Sequence, residues 1–369
     1  MKQKIVVSAI NSFGGGVLSV VQDCLQEIMA IYGDKIEITA LVYNKSMIGV
    51  EGITYLEFPK ARSNWYWRLY YEYIYFYRLS KILQPDIWLS LADVTPRVIA
   101  PIQAVYCHNL APFYQITRQD ARFDPVLAVY HYLFKYIYRI NIRKNKFVIV
   151  QQQWLREEFE RMFRINNVLV AYPKVAARYD EEQPKENAPT TGAPFTFFYP
   201  SVPRVFKNFE LITEAVRLLL FRNISDFEVI FTFNGTENNY AGRIRQNAEA
   251  IPQLRFMGEL SRKQVFAYHK KADVVLFSSK TETWGMGISE GMAFQKPILC
   301  IDTSYARETV GNYKKAVFFP PNKPERLAEL MEDFIKNRPV FHATTAFVPP
   351  PPFAKDWQHL FDYLAMNKP

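Results

Sequence analysis

Residues 273–301 read D-V-V-L-F-S-S-K-T-E-T-W-G-M-G-I-S-E-G-M-A-F-Q-K-P-I-L-C-I. The apolar run Asp273–Phe277 is a strand candidate, glycines 285 and 287 loosen the loop after it, and a helix opens at Ile288. A second apolar run, Pro297–Ile301, follows. Strand, glycine loop, helix and strand make a unit that belongs in a layered α/β fold with parallel strands. The loop of such a unit lies at the carboxyl ends of the strands, where open α/β sheets bind ligands. The N-terminus of the following helix adds free N–H groups and a positive dipole end, which suit a diphosphate. Glu282 falls on the loop and Glu290, eight positions on, inside the helix; both reach toward a ligand's hydroxyls. Ser279, just before the motif helix, is a candidate phosphate contact, and the alternative for the glutamates is a solvated helix face.

The amino-terminal end repeats the pattern. Ile5–Ile10 reads as a buried strand and runs into N-S-F-G-G-G-V, after which Val17, Val20, Val21, Leu25 and Ile28 keep a helical period. This is not the G-x-G-x-x-G dinucleotide fingerprint, so it gives no support for NAD. A tight turn alone would account for Gly14–Gly16. Further strands are expected at Ile36–Val42, Asp86–Leu91, Gln103–Cys107, Phe147–Val150 and Val168–Tyr172. The strand at 103–107 leads into Y-C-H-N-L-A-P-F-Y, placing His108 and Asn109 at a carboxyl-end loop. Residues 65–81, W-Y-W-R-L-Y-Y-E-Y-I-Y-F-Y-R-L-S-K, form a helix dense in aromatics and cations, with Trp65, Leu69, Tyr73, Phe76 and Leu83 at helical spacing, and residues 131–146 are a second basic aromatic stretch. Such helices either lie against an anionic membrane surface or pack as core helices with their tyrosine hydroxyls at the edge.

Residues 180–194 are polar and proline-bearing, an interdomain linker by composition. Phe195–Tyr199 restarts a strand, Arg204 and Lys207 stand on the loop and helix start, and Phe209, Ile212, Ala215, Val216 and Leu219 form the inward face of the helix. Asn234-Gly235 and Gly258 end further strands, and Glu308 follows the strand at 297–301. A helix is expected from about Pro324 to Asn337. Pro349–Pro352 then makes a rigid bridge to a final amphipathic helix with Trp357, Leu360, Phe361 and Leu364.

Glu282 and Glu290, with their glycines, strand and helix, resemble the E-x7-E motif of the retaining glycosyltransferases of family four, of bacterial surface-polysaccharide type. The His108-Asn109 loop resembles that family's H-N-x-x-P-F segment, and Arg204 and Lys207 resemble its pair of cations on the donor diphosphate, spaced slightly closer here. The resemblance implies two Rossmann-like β/α/β domains facing across a cleft (the GT-B architecture), with the last helix crossing back to the first domain. It divides the chain into an acceptor-binding domain at 1–178, a linker at 179–194, a nucleotide-sugar-binding domain at 195–345 and a bridge with the final helix at 346–369. It implies a metal-independent transfer from a nucleoside-diphosphate sugar to a glycan or lipid-linked saccharide. Glu282, His108 and Lys207 would be catalytic. Arg204, Lys207, Glu290, Gly285, Gly287, Ser279, Gly235 and Glu308 would bind the donor; Gly15, Gly16, His108 and Asn109 would face the acceptor. A nucleotide-sugar epimerase of the same fold and a non-catalytic nucleotide-sugar or membrane-surface binding protein are the alternatives.

Lys plus Arg number 45 against 36 Asp plus Glu, a net charge of +9 that favours anionic partners. No RNP, KH or helix-turn-helix pattern supports nucleic acid. Three scattered cysteines without a C-x-x-C read as buried thiols of a cytoplasmic protein. No D-x-D or paired histidine spacing marks a metal site, and no uncharged apolar run approaches the roughly 18 residues that span a bilayer.

Overall fold

The computed structural model describes residues 2–12, 14–174 and 194–365. Residues 179–193 of the expected linker, and the last four of the chain, lie outside them. The elements run β1 (Gln3–Ala9), α1 (Gly15–Tyr32), β2 (Ile36–Val42), β3 (Thr54–Glu57), α2 (Trp65–Tyr70), a π turn at Tyr71–Tyr75, α3 (Phe76–Leu83), β4 (Ile87–Ser90), β5 (Ile102–Tyr106), α4 (Arg118–Phe123), α5 (Pro125–Arg139), β6 (Phe147–Val150), α6 (Gln153–Phe163) and β7 (Val168–Ala171). They continue as β8 (Phe195–Tyr199), α7 (Phe209–Phe221), β9 (Phe227–Phe231), α8 (Asn239–Asn247), β10 (Leu254–Phe256), α9 (Arg262–Lys271), β11 (Val274–Phe277), α10 (Met286–Ala293), β12 (Ile298–Ile301), α11 (Ser304–Val310), β13 (Ala316–Phe319), α12 (Pro324–Ile335), β14 (Phe353–Ala354) and α13 (Trp357–Ala365).

Two compact units result. The first is built from described residues of Met1–Phe113, Tyr130–Lys174 and Pro349–Pro369, the second from those of Tyr114–Val129 and Val175–Val348. Tyr114–Val129, which the sequence reading put in the first domain, clusters with the second unit. The first holds an eight-stranded sheet in the order β14-β7-β6-β5-β4-β1-β2-β3, the second a six-stranded sheet in the order β10-β9-β8-β11-β12-β13. Every pairing is parallel. A parallel sheet covered on both faces needs strands that are apolar throughout rather than alternating. The runs I-W-L-S, F-V-I-V, V-V-L-F and I-L-C-I meet that need, and every residue in them except Phe147 is buried. In each sheet the order reverses once, at β1/β4 and at β8/β11. Loops that leave the carboxyl ends of those strands diverge and open a crevice.

The helices follow the expected faces in most places. On α7, Phe209, Ile212, Ala215, Val216 and Leu219 are all fully buried. The final helix returns to the first unit, as expected. Trp357, Leu360, Phe361 and Leu364 of α13 join a core that includes Val20, Leu25 and Ile28 of α1. Burying each such side chain stabilises by about 1.5–3 kcal/mol, so α13 is structural to that unit. The proline bridge itself carries β14, which pairs with β7 and extends the sheet. Arg156 of α6 fixes the approach by donating to the carbonyls of Pro350 and Pro352.

The aromatic helix departs from its simple period. Its inward face carries Arg68, Glu72, Phe76 and Leu79, while Trp65 and Leu69 remain exposed. The π turn widens the helix at Tyr71–Tyr75, and the Glu72 carbonyl accepts from Arg97 N at 2.9 Å. No helix among the described residues is long and apolar enough to cross a membrane.

Candidate functional site

In the second unit the loop after β8 and the loop after β11 leave the switch point side by side. Tyr199, the last residue of β8, donates to the Lys207 carbonyl at 2.9 Å and shares a 2.9 Å hydrogen bond with Ser279 Oγ. Ser278 Oγ donates to the Lys207 carbonyl at 2.8 Å, and Lys280 N to the Phe206 carbonyl at 2.7 Å. Burial pushes the Tyr199 hydroxyl well above its ordinary pKa, so it stays a protonated donor in this lattice of bonds. The lattice fixes the backbone on both sides of one ion pair. Lys207 Nζ meets Glu282 Oε1 at 2.5 Å, with only 13% and 12% of the two side chains exposed. The ammonium also lies 5.4 and 5.8 Å from the rings of Phe206 and Phe277. A charge pair this far out of bulk water is stronger than a surface pair, and removing one partner strands the other.

Helix α10 begins directly beyond. Its N-cap, Gly285, has φ 87°, a conformation that side chains resist, and no side chain caps the first turn. The α10 residues then pack tightly against the sheet. A Cβ at Gly287 would come within 2.8 Å of the Phe277 ring, and one at Gly291 within 2.6 Å of Ile298 and 2.9 Å of Val275. Glu290 occupies the helix's outer edge. Behind it, the fully buried His269 of α9 places Nε2 3.5 Å from Glu290 Oε2 and stacks its ring on Phe294. Trp284 donates to Ser289 Oγ at 2.9 Å, while Thr309 and Tyr305 of α11 donate to the carbonyls of Trp284 and Ser279. The E-x7-E loop is therefore braced from three elements.

The other sequence candidates fall into different places. Arg204 turns to Asp124 at 3.3 Å rather than toward Lys207's partner Glu282. Ser279 is fully buried with its hydroxyl on Tyr199, so its side chain braces the loop. Gly235 sits at φ 105° in the turn after β9, where Glu237 accepts from the N–H groups of Asn234 and Gly235 at 2.7 and 2.9 Å. Those two amides are thus occupied within the turn. Glu308 lies buried on α11.

In the first unit, Gly15 and Gly16 open α1 after β1. A Cβ added at Gly14 or Gly16 would meet nothing within 4 Å, and Gly14 is extended at φ 176°, so neither the chain's own packing nor a turn requires those two glycines. His108 and Asn109 follow β5. Their position is set by Asp93, a residue without a sequence signature beyond its loop after β4. Asp93 is buried at φ 67° and accepts from His108 N at 2.5 Å, Asn109 N at 2.9 Å and the Tyr138 hydroxyl at 3.1 Å. The His108 ring stacks on Tyr106 at 4.7 Å. Burial lowers its pKa, against an upward pull from Asp93, so the imidazole is neutral at pH 7. Its Nε2 has no hydrogen-bond partner among the described residues.

The sequence missed Asp93, His269 and the Tyr199 lattice. A lone aspartate or histidine carries no spacing signal. Among the described residues no group of three or more His, Cys, Asp or Glu is placed to hold a metal ion.

The fold is found in known proteins. Residues 180–345 match the family model described as glycosyl transferases group 1. Over 99% of this chain and 100% of the other, the fold resembles the apo lipopolysaccharide outer core galactosyltransferase WaaB, with a TM-score of 0.67 at 12% identity. A glycosyltransferase from Rickettsia africae ESF-5 matches with a TM-score of 0.64 at 16% identity, over 91% of this chain and 88% of that one. Anabaena Alr3699/HepE, solved with UDP and glucose, matches with a TM-score of 0.60 at 13% identity, over 91% and 90%. No curated protein sequence matches. The fold is that of the GT-B glycosyltransferases.

Proposed function

We propose that the protein is a retaining glycosyltransferase that moves a sugar from a nucleoside-diphosphate donor to a hydroxyl of a glycan or lipid-linked saccharide. The observation that carries this reading is the Lys207–Glu282 pair at the β8/β11 switch point, with the uncapped N-terminus of α10 beside it. As the anomeric C–O bond breaks, the departing diphosphate gains negative charge. Lys207 and the first amides of α10 answer that charge, each fixed donor contributing on the order of 2–4 kcal/mol. Arg204 joins them on leaving Asp124. These cations supply what a divalent metal would otherwise supply, so the reaction proceeds without one.

Glu290, with the His269 ring 3.5 Å behind it, accepts from the ribose hydroxyls. Glu282 holds the transferred sugar and faces the positive anomeric carbon. The acceptor oxygen bonds to that carbon on the face the diphosphate leaves, its proton passing to the departing phosphate oxygen. Retention follows without a second carboxylate as nucleophile. His108 presents a neutral imidazole whose unpartnered Nε2 orients a sugar hydroxyl, with Asn109 beside it and room for the acceptor over Gly15 and Gly16. The basic charge balance and sparse, buried cysteines suit a cytoplasmic site of action.

The test is a thermal-shift and turnover screen against UDP-, GDP-, ADP- and dTDP-sugars in EDTA, with Lys207→Ala and Glu290→Ala alongside. Saturating one donor family at 100 times its Kd adds about 2.7 kcal/mol of apparent stability. Stabilisation by one base, weakened in both variants, supports the reading. Silence toward every donor would refute it, and conversion of a donor without acceptor would point to an epimerase.

A further inference from the structure

Helix α5 is apolar on both sides. Phe134 and Tyr138 point into the core with Phe159 and Phe163, while Tyr132, Leu133, Tyr136 and Ile140 stand 57%, 55%, 58% and 41% exposed. A helix that is apolar all round belongs in a core or against a nonaqueous phase, and here one side has no protein cover. The start of α2 lies against it. The Trp65 ring is 6.1 Å from both Tyr130 and Phe134, and Trp65, Tyr66 and Leu69 are themselves exposed. The two helices thus present one aromatic and aliphatic surface, and contiguous apolar patches of this kind mark interaction sites.

The charges around this surface have one sign. Residues 125–155 contain no Asp or Glu but carry Lys135, Arg139, Arg143, Lys144 and Lys146. Residues 58–85 contain one acid, Glu72, which is buried, as Arg68 is, against Lys60, Arg62, Arg78 and Lys81. Lys135 Nζ stands 5.2 Å over the Tyr136 ring and Lys60 Nζ 4.9 Å over Trp67. Tyrosine and tryptophan rings interleaved with cations, and no exposed acid from either segment, match the chemistry of a lipid headgroup layer with negative charge: rings at the carbonyl level, cations on phosphate. A protein partner or a second copy of this basic chain would have to bring its own carboxylates to the same face.

We infer that the α2/α5 surface of the first unit docks on an anionic lipid bilayer, with Tyr132, Leu133 and Tyr136 inserted and Arg139, Arg143 and Lys144 on the headgroups. This surface shares no residue with the Lys207–Glu282 site. The experiment is vesicle co-sedimentation of the full chain with phosphatidylcholine alone and with about one third phosphatidylglycerol. The wild type is expected to partition onto the anionic vesicles, to release in high salt, and to show blue-shifted tryptophan emission. The triple variant Tyr132→Ser/Leu133→Ser/Tyr136→Ser should lose roughly tenfold or more of that partition. Arg139→Glu/Lys144→Glu should also weaken it; these exposed cations leave the packed face of α5 intact, so this arm holds even if the triple variant is poorly folded. Failure of the wild type to bind anionic vesicles, or equal binding by both variants, would overturn the inference. So would a concentration-dependent dimer, seen by sedimentation without lipid and dispersed by the triple variant, in place of vesicle binding.

Discussion

Glu72 offers a test in which the structure fixes both the sign and the size. It sits on the π turn, fully buried, and neither carboxylate oxygen meets a hydrogen-bond donor among the described residues. The nearby guanidinium, Arg68, directs Nη2 to the Ala92 carbonyl at 2.7 Å. Burial therefore dominates, with Arg68 pulling the other way, and the carboxyl is pushed from 4.5 to about 8. Between those values the folded state keeps a proton that the unfolded chain releases. Stability accordingly falls as pH rises through that window and levels off above it. At about 1.4 kcal/mol per unit of pKa difference, the loss is about 5 kcal/mol. Glu72→Gln keeps the shape and removes the titration. The variant and the wild type should melt together at about pH 5, and the variant should melt higher at about pH 9. At roughly 2–4 °C per kcal/mol for a domain of this size, the gap should reach about 10 °C or more. Circular dichroism melts across the range give the difference directly, since other titrating groups cancel between the two proteins. A gap independent of pH, or a wild type more stable at high pH, would mean that Glu72 is ionised and paired with Arg68, and the argument would fail.

Lys207→Ala should lower turnover by about 10²–10³-fold with a smaller change in folding stability, read by initial rates and melting; normal turnover would remove the diphosphate role. Gly291→Ala forces a methyl into Ile298 and Val275 and should destabilise the second unit by about 1–3 kcal/mol in urea titration. Asp93→Ala leaves the amides of His108 and Asn109 without their acceptor, at about 1–3 kcal/mol each; turnover should fall while donor Kd, measured by calorimetry, stays constant. Because burial lowers the His108 pKa, acid loss of turnover through protonation of this ring should have its midpoint below about 6.5, the ordinary histidine value. A midpoint above it would argue against a neutral His108.

Much of this was legible because parallel strands are buried on both faces. F-V-I-V, I-E-I-T-A-L-V and F-T-F-F-Y announce themselves as strands, and β2, β6 and β8 have the bounds their apolar runs suggest. β3 was not, because T-Y-L-E is an edge strand with polar ends and no buried residue. Nor was β14, whose two residues are a strand only through their pairing with β7. The inward face of the aromatic helix was misleading for a different reason. A buried Arg68, a separately buried Glu72 and a π turn break the simple period. In the candidate site, glycines and glutamates at fixed spacing were readable, since loop shape demands them. Asp93 and His269 act through partners far off in sequence, His108 and Glu290, and only the folded chain brings them together.

The return of the carboxyl-terminal segment sets an order of assembly. During synthesis the first 174 residues emerge with β7 as a bare sheet edge and the apolar side of α1 uncovered. They wait while some 180 more residues, including the whole second sheet, are made before Phe353–Ala354 and α13 arrive. The unit that begins the chain is thus the last to be completed, and it spends that interval with the kind of edge and apolar surface that chaperones recognise. Losing the final twenty residues would therefore injure the amino-terminal half of the protein and leave the sheet that carries Lys207 and Glu282 whole.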